Sequence, residues 1–212
     1  MSDEHEFEPV HGLPEFLPAG ERILWQGEPD ARALARDVFF RRALAIYFTL
    51  VIAWQAFDAW SVGLDAGSVG AAVAGTVVLA LVALGLVTLF ARLYARTTVY
   101  TITNRRIVLR FGLALPLNVN LPFNVIEAAA VRVTARGCGD IALSLAAGER
   151  VGYVHMWPCV ARWHFTRPRP ALRGVADVAT VAGVLAAALE HSAAPTVSDA
   201  AAATLGARAV AA

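Results

Sequence analysis

A long apolar stretch, residues 43–91, limits what this chain can fold into. It consists of two hydrophobic runs that meet at a short break containing glycine and aspartate, and no charged residue occurs from position 66 to position 91. A helix that rises about 1.5 Å per residue needs about 20 apolar residues to cross the hydrocarbon core of a membrane. Core helices of soluble proteins are shorter and are seldom apolar on every face. The sequence therefore predicts a hairpin of two transmembrane helices, at residues 43–64 and 68–91.

The orientation of this hairpin follows from its arginines. The connecting segment, residues 58–69, contains two aspartates and no basic residue, and Asp58 is expected at the outer interface. Arginines instead precede the first run and follow the second: Arg32, Arg36, Arg41, Arg42, Arg92, Arg96, Arg105 and Arg106. Because basic residues are retained on the cytoplasmic side of a membrane, both termini are predicted to be cytoplasmic.

Some of these arginines are also candidates for contact with lipid. The candidates at the level of the headgroups are Arg36, Arg41, Arg42, Arg92 and Arg96. Each basic residue near an anionic surface adds about 1 kcal/mol of attraction. Fixing the topology is a sufficient role for them, so a topological role and a role in selecting anionic headgroups both stay open.

The segments outside the hairpin differ in composition. Residues 1–20 predict a flexible acidic arm, residues 21–42 a short strand at 21–27 followed by a basic segment next to the membrane, and residues 191–212 a disordered, alanine-rich tail. The first residues lack a basic segment followed by an apolar core, so we expect no cleaved signal peptide. The net charge of +1 gives no reason to expect nucleic acid as a partner.

After the hairpin, the hydrophobic period changes from helical to alternating. Alternation predicts strands that end in turns, and spacings of three and four from Leu172 to Leu189 predict an amphipathic helix. The predicted strands are residues 97–103, 106–111, 115–121, 125–134, 141–145, 150–157 and 162–167, and the helix is residues 172–190. The predicted fold is a membrane-anchored α+β protein, in which a small antiparallel barrel or bent sheet at residues 97–190 is capped by the C-terminal helix.

The sequence contains no recognisable catalytic set. His155 and His164 have no carboxylate at ligand spacing, and Cys138 and Cys159 do not form a CxxC pair, so we expect no metal site and no disulfide. Nucleotide-binding and nucleophile motifs are also missing. Neither predicted membrane helix contains histidine, the usual ligand of a chlorophyll magnesium. We therefore expect a protein that is not an enzyme and holds no cofactor.

A group of aromatic and histidine side chains is the candidate partner-binding site. Its members are Tyr153, His155, Trp157, Trp163 and His164. The first three would share one face of a strand because side chains alternate. One interpretation is that this face packs on the C-terminal helix. The other is a surface for a protein partner, since tryptophan and tyrosine dominate interface hot spots.

Two sets of motifs carry a family resemblance. G-E-R-I-L-W-Q-G at residues 20–27, the hairpin, and Y-T-I-T-N-R-R-I-V-L-R-F-G at residues 100–112 resemble the membrane-anchored pleckstrin-homology-like domains of bacteria. L-P-F-N-V-I-E, G-D-I-A-L-S-L and Y-V-H-M-W-P, which begin at residues 121, 139 and 153, resemble the purple-bacterial proteins that assist assembly of the photosynthetic reaction centre. The resemblance covers roughly residues 18–190.

The resemblance implies a pleckstrin-homology-like fold and a multi-pass protein of the bacterial inner membrane, either cytoplasmic or intracytoplasmic. It implies a non-enzymatic assembly factor whose partners are the reaction-centre and core light-harvesting subunits or their assembly factors, with a homodimer as one allowed state. The alternative is a lipid- or pigment-handling membrane module of the same family.

Overall fold

The apolar stretch forms two long helices in the computed structural model, which describes residues 13, 16–113, 117–134, 137–146, 156–161 and 168–193. Helix α2 is Arg41–Ser61 and helix α3 is Ala66–Thr97, and a shorter helix, α1 (Ala31–Asp37), precedes them. Both long helices are long and apolar enough to cross a membrane, yet only 6% of the most apolar window of each is buried inside the protein. An exposed apolar surface of this kind is typical of helices that contact lipid or another protein.

Helix α3 is longer than the predicted span. It has 32 residues, or about 48 Å, whereas α2 has 21 residues, or about 31 Å. The prediction of residues 68–91 followed hydropathy, but the helix continues to Thr97, and Thr98 caps its end just before the next strand. At its other end, the Asp65 carboxylate accepts hydrogen bonds from the backbone N–H groups of Gly67 and Ser68 and from the Ser68 hydroxyl, which lower the pKa of Asp65.

The described strands form two antiparallel sheets. The first has the order β1–β2–β3–β4 and the second the order β5–β6–β7. The strands are β1 (Ile23–Gly27), β2 (Val99–Thr103), β3 (Arg106–Phe111), β4 (Leu117–Pro122), β5 (Ile126–Val133), β6 (Gly139–Leu145) and β7 (Ala171–Val175). Helix α4 (Val178–Ala193) follows the second sheet. The alternating pattern correctly predicted β1 to β6, with small differences at their ends.

The hairpin is inserted between two strands that pair with each other. Gly27 at the end of β1 lies opposite Tyr100 of β2, with α1, α2 and α3 between them in sequence. The start of β1 is also joined to the turn after β2: the Arg106 guanidinium donates to Glu21 at 2.8 Å, and the backbone N–H of Arg22 donates to the Asn104 side chain at 2.9 Å. The two motifs, G-E-R and T-N-R-R, are therefore spatial partners.

The predicted C-terminal helix begins later than expected. Leu172 and Val175 were assigned to it, but both are buried in β7, and α4 starts at Val178. All five β7 residues are buried, so the strand shows no alternation, and its spacing of three imitates a helix. Gly174 and Asp177 have positive φ angles of 65° and 46°, which a continuous right-handed helix does not contain.

Two further predicted strands lie mostly outside the described residues. For residues 150–157, Met156 and Trp157 are described; Met156 is helical and Trp157 lies in the turn that follows, so neither is in a strand, which corrects that part of the prediction. The turn leads to Val160, which bridges to Pro170 beside β7. Residues 162–167 lie outside the described part, as do residues 1–12, 14 and 15 of the arm and 194–212 of the tail.

Helix α3 and the sheets share one hydrophobic core. Ala91, Tyr94 and Ala95 in the last turns of α3 are buried in the same cluster as Leu34 of α1 and Leu172 of β7. Further members come from α1, both sheets and α4, namely Ala35, Val38, Ile102, Ile107, Leu109, Phe111, Ile141, Leu143, Val178, Val181 and Leu185. Burial of this kind contributes about 1.5–3 kcal/mol for each large aliphatic side chain, so α3 is fixed to the domain by its own packing.

A buried polar cluster joins α3 to both sheets. The Cys159 thiol lies 3.5 Å from the hydroxyl of Tyr94 on α3 and 3.5 Å from the hydroxyl of Tyr100 on β2. The Tyr100 hydroxyl also donates to the backbone carbonyl of Arg173 on β7 and accepts from its N–H group. Burial raises the pKa of both Tyr100 and Cys159, which keeps these groups neutral.

Next to this cluster, Arg173 and Asp140 form a buried ion pair. The Arg173 Nε and the Asp140 Oδ2 are 3.1 Å apart, and the two side chains are 5% and 12% exposed. Arg173 also donates to the carbonyl of Val160, and Asp140 accepts from the N–H of Gly174. The pair therefore connects β6, β7 and the segment at Val160 with little exposure to solvent.

We predict that Asp140→Ala lowers the free energy of unfolding by about 3–5 kcal/mol, because it leaves a buried guanidinium without its counter-charge. Chemical denaturation in detergent micelles, followed by tryptophan fluorescence, would measure this loss. The control is Arg36→Gln, which removes the more exposed pair with Asp37 and should cost less than about 1 kcal/mol. Equal losses in the two variants would contradict the prediction.

Maleimide labelling should distinguish the two cysteines. We predict that native protein at neutral pH is labelled at the partly exposed Cys138 and protected at Cys159, because Cys159 is buried and its raised pKa keeps the thiolate population low. Unfolding in denaturant should make both thiols reactive. Rapid labelling of Cys159 in native Cys138→Ser protein would show that the contact between α3 and the domain opens readily.

Candidate functional site

Helix α1 places the first arginines of the site beside the membrane helices. The Asp30 carboxylate caps its start by accepting from the N–H of Ala33 at 2.6 Å. The N–H of Asp30 donates to the carbonyl of Gly174, which fixes the start of α1 to β7. Ala33, Leu34 and Ala35 are buried, so the opposite face of α1 carries Arg32 and Arg36 away from the core.

The chain then turns sharply into α2. Phe40, the residue before this helix, has a φ of 53°, in the left-handed region that non-glycine residues seldom occupy. The turn brings Arg41 and Arg42, the first two residues of α2, next to α1 and to the last turns of α3.

A cavity of about 880 Å³ lies where α1, α2 and α3 meet. We call it the arginine cavity, and its lining residues are Asp30, Ala31, Arg32, Ala35, Arg36, Arg41, Arg42, Ala45, Leu84, Thr88 and Arg92. Five of them are arginines and one is an acid. Its volume is within the range of about 300–1,000 Å³ that is typical of small-molecule sites.

The charges of this cavity are mostly uncompensated. Arg36 donates to both oxygens of Asp37, with a shortest distance of 2.7 Å, and this contact raises the pKa of Arg36. Arg32, Arg41, Arg42 and Arg92 form no ion pair with any described residue. Asp30 is the only acid among the described lining residues, and its carboxylate also caps α1. Five arginines and one acid give the described lining a net positive charge.

The lining changes character along α3. Leu84, Thr88 and Arg92 are spaced by four, so they follow one face of the helix. Leu84 lies eight residues, or about 12 Å, further into the predicted span than Arg92. On α2, Arg41 and Arg42 are likewise followed one turn later by Ala45. The cavity is thus basic at its mouth and apolar toward the membrane.

A second cavity of about 490 Å³ adjoins the first and shares Arg36 and Arg42 with it. Its other lining residues are Asp37, Phe40, Ala43, Ile46, Arg132, Val133 and Thr134. Arg132 and Val133 come from β5, so the end of this strand lies near the start of α2. Val133 is 63% exposed and Ile46 is 52% exposed, which places apolar surface of the domain beside the membrane helix.

The structure brings together four of the five arginines suggested as headgroup contacts. Arg36, Arg41, Arg42 and Arg92 line the arginine cavity, whereas Arg96 is exposed one turn beyond it and does not. Arg32 was not among the suggested headgroup contacts, although it also lines the cavity. The spacing of four between Arg32 and Arg36 in a segment with helical propensity is the signal that would have identified it.

The suggested aromatic and histidine cluster is largely outside the described residues. Tyr153, His155, Trp163 and His164 all lie there, and Trp157 is the member that the structure describes. Trp157 is 50% exposed and makes an edge contact with Phe39, with ring centroids 5.6 Å apart. Phe39 lies in the linker between α1 and α2, so Trp157 contacts this linker.

The described side chains offer no metal site. In the part of the chain that the structure describes, no group of three histidine, cysteine, aspartate or glutamate side chains could hold a metal ion. Cys159 is enclosed by the two tyrosines, and Cys138 lies in the turn between β5 and β6. The arrangement at the junction favours binding of an anion, since its functional groups are guanidinium donors.

Comparison with known proteins identifies relatives of the whole chain. The model of the bacterial PH domain family matches residues 43–189, which include the hairpin and most of both sheets. A protein from Rhodobacter capsulatus, described as an uncharacterised 23.7 kDa protein in the puhA 5′ region, is 38% identical over 192 residues, or 90% of each chain.

One solved structure was also matched. It is a protein of the DUF1696 family with a pleckstrin-homology domain, from Shewanella loihica PV-4. It is 16% identical, the match covers 42% of this chain and 68% of that one, and the TM-score is 0.28. At this TM-score the likeness supports no argument about function.

Proposed function

Because the chain belongs to the bacterial PH domain family, we propose that it is a membrane-anchored, non-enzymatic factor for assembly of photosynthetic complexes. The observation that carries this proposal is its relative in the puhA 5′ region of Rhodobacter capsulatus, a purple bacterium. The relative matches 90% of this chain, so the shared part includes the hairpin as well as the domain. A common role in the context of photosynthesis genes explains why both features occur together.

The geometry supports a scaffold that holds its domain in one orientation. Helix α3 runs without interruption into the hydrophobic core, and α1 packs against its last turns. A domain on a flexible linker would lose orientational freedom each time it bound a membrane partner. A domain that is already fixed avoids most of this cost, which is estimated at several kcal/mol.

The proposal includes a location and a topology. The hairpin spans the bacterial inner membrane, and the arginine-rich end, with both termini, lies in the cytoplasm. The supporting observation is that the arginines lie together at one end of the hairpin, whereas the turn at Asp65 at the other end carries no basic residue. The domain is then positioned at the inner face, where newly inserted subunits expose their cytoplasmic segments.

The partners proposed for this domain are reaction-centre and core light-harvesting subunits or their assembly factors. Among the candidate residues that the structure describes, Trp157 is half exposed, and the edge of its ring packs against Phe39. Tryptophan at such positions is frequently an interface hot spot, whose truncation costs more than about 1 kcal/mol of binding energy.

We predict that deletion of this gene in the phototroph that carries it lowers accumulation of both complexes. Near-infrared absorption of the reaction centre and core antenna during induction would measure the effect. The full chain should restore accumulation. Trp157→Ala should restore it only in part at unchanged protein abundance, because it removes a hot-spot contact worth about fivefold or more in affinity.

The matched control is Phe16→Ala, which removes another aromatic side chain, 75% exposed, from the same protein. This variant should behave as the wild type. Unchanged accumulation of both complexes in the deletion strain would contradict the assembly function, and equal effects of the two variants would remove Trp157 from the proposed interface.

A further inference from the structure

The arginine cavity has the chemistry of a site for a phosphate group. We propose that it binds the phosphate of one anionic phospholipid, with the headgroup among Arg32, Arg41, Arg42 and Arg92 and the acyl chains directed toward Leu84 and Ala45. The inference uses the membrane insertion proposed above and is independent of the assembly function.

The charge of the cavity supports an anionic ligand. Five guanidinium groups line one space, and Asp30, the cap of α1, is the only carboxylate among the described lining residues. Guanidinium groups present paired N–H donors that match phosphate oxygens, and such charge-assisted hydrogen bonds are stronger than neutral ones. Four of the five form no ion pair with any described residue.

The polarity of the lining supports a lipid as the source of the phosphate. The ligand has to be charged where it meets Arg92 and apolar about 12 Å deeper, where it meets Leu84. A phospholipid has this distribution, and its phosphate lies at the membrane boundary. Free inorganic phosphate has the same charged group but would leave the apolar half of the cavity unfilled.

Topology alone does not account for this arrangement. Retention of basic residues in the cytoplasm depends on their number near the membrane and not on their convergence. Arg96 shows the difference, because it is on the same helix only four residues from Arg92 and does not line the cavity. Arg36 has a separate role, since its pair with Asp37 positions the wall that the two cavities share.

Two double variants test the site with matched charge changes. Arg41→Gln with Arg92→Gln removes two cavity arginines, and Arg96→Gln with Arg105→Gln removes two exposed arginines outside its lining. Each protein is reconstituted in nanodiscs of equal phosphatidylcholine and phosphatidylglycerol and then transferred to detergent. Native mass spectrometry counts the lipid molecules that remain bound, and thermal unfolding reports the stability.

We expect the wild type and the variant with Arg96→Gln and Arg105→Gln to retain one phosphatidylglycerol. The variant with Arg41→Gln and Arg92→Gln should bind it at least about tenfold more weakly. Equal loss in both double variants would overturn the proposal, because it would indicate a diffuse basic surface. Retention of phosphatidylcholine as readily as phosphatidylglycerol by the wild type would overturn it as well.

A further arm separates lipid from soluble phosphate. Inorganic phosphate is added to protein in phosphatidylcholine nanodiscs, and stabilisation equal to that given by phosphatidylglycerol would assign the site to free phosphate and overturn the lipid assignment. Flotation with neutral phosphatidylcholine vesicles tests separately whether the hairpin inserts into a membrane. Protein that fails to float contradicts the membrane anchor, whereas protein that floats but retains no anionic lipid contradicts this site alone.

Discussion

The structure depends on helix α3 being packed in two different environments. Most of its apolar length is exposed, while Ala91, Tyr94 and Ala95 in its last turns are part of the core of the sheets. The same helix satisfies both requirements because it has 32 residues, about eleven more than α2. The contact of Tyr94 with Cys159 and the position of Arg92 both depend on this extra length.

The unequal lengths of α2 and α3 also explain α1. Strands β1 and β2 pair directly, so the chain must leave Gly27 and return at Val99 within the spacing of two neighbouring strands, about 5 Å. Helix α3 returns to the domain with extra turns, and α1 with its linker covers the matching distance on the other side. The packing of α1 on α3 buries Leu34 and creates the wall of the arginine cavity.

Much of this architecture is readable from the sequence, and the exceptions have physical causes. The alternating residues of β2 to β6 predicted the strands, and the turn from Thr103 to Arg106 clearly separates β2 from β3. Strand β7 is buried on both faces, so its Leu172 and Val175 were mistaken for the first turn of the helix. The ion pair of Arg173 and Asp140 was invisible because the two residues are distant in sequence and ordinary in pattern. For the site, the sequence indicated which arginines flank the apolar runs. Their convergence depends on the sharp turn at Phe40, which the sequence pattern does not predict.

The position of the hairpin inside the fold has a consequence for biogenesis. Strand β1 is synthesised before the hairpin and its partner β2 after it, so their pairing closes a loop of about seventy residues. The α2–α3 hairpin brings Gly27 and Val99 together, so the remaining entropy of closing this loop is small once the hairpin has formed. The first sheet can therefore be completed only after the whole hairpin has been synthesised and has folded.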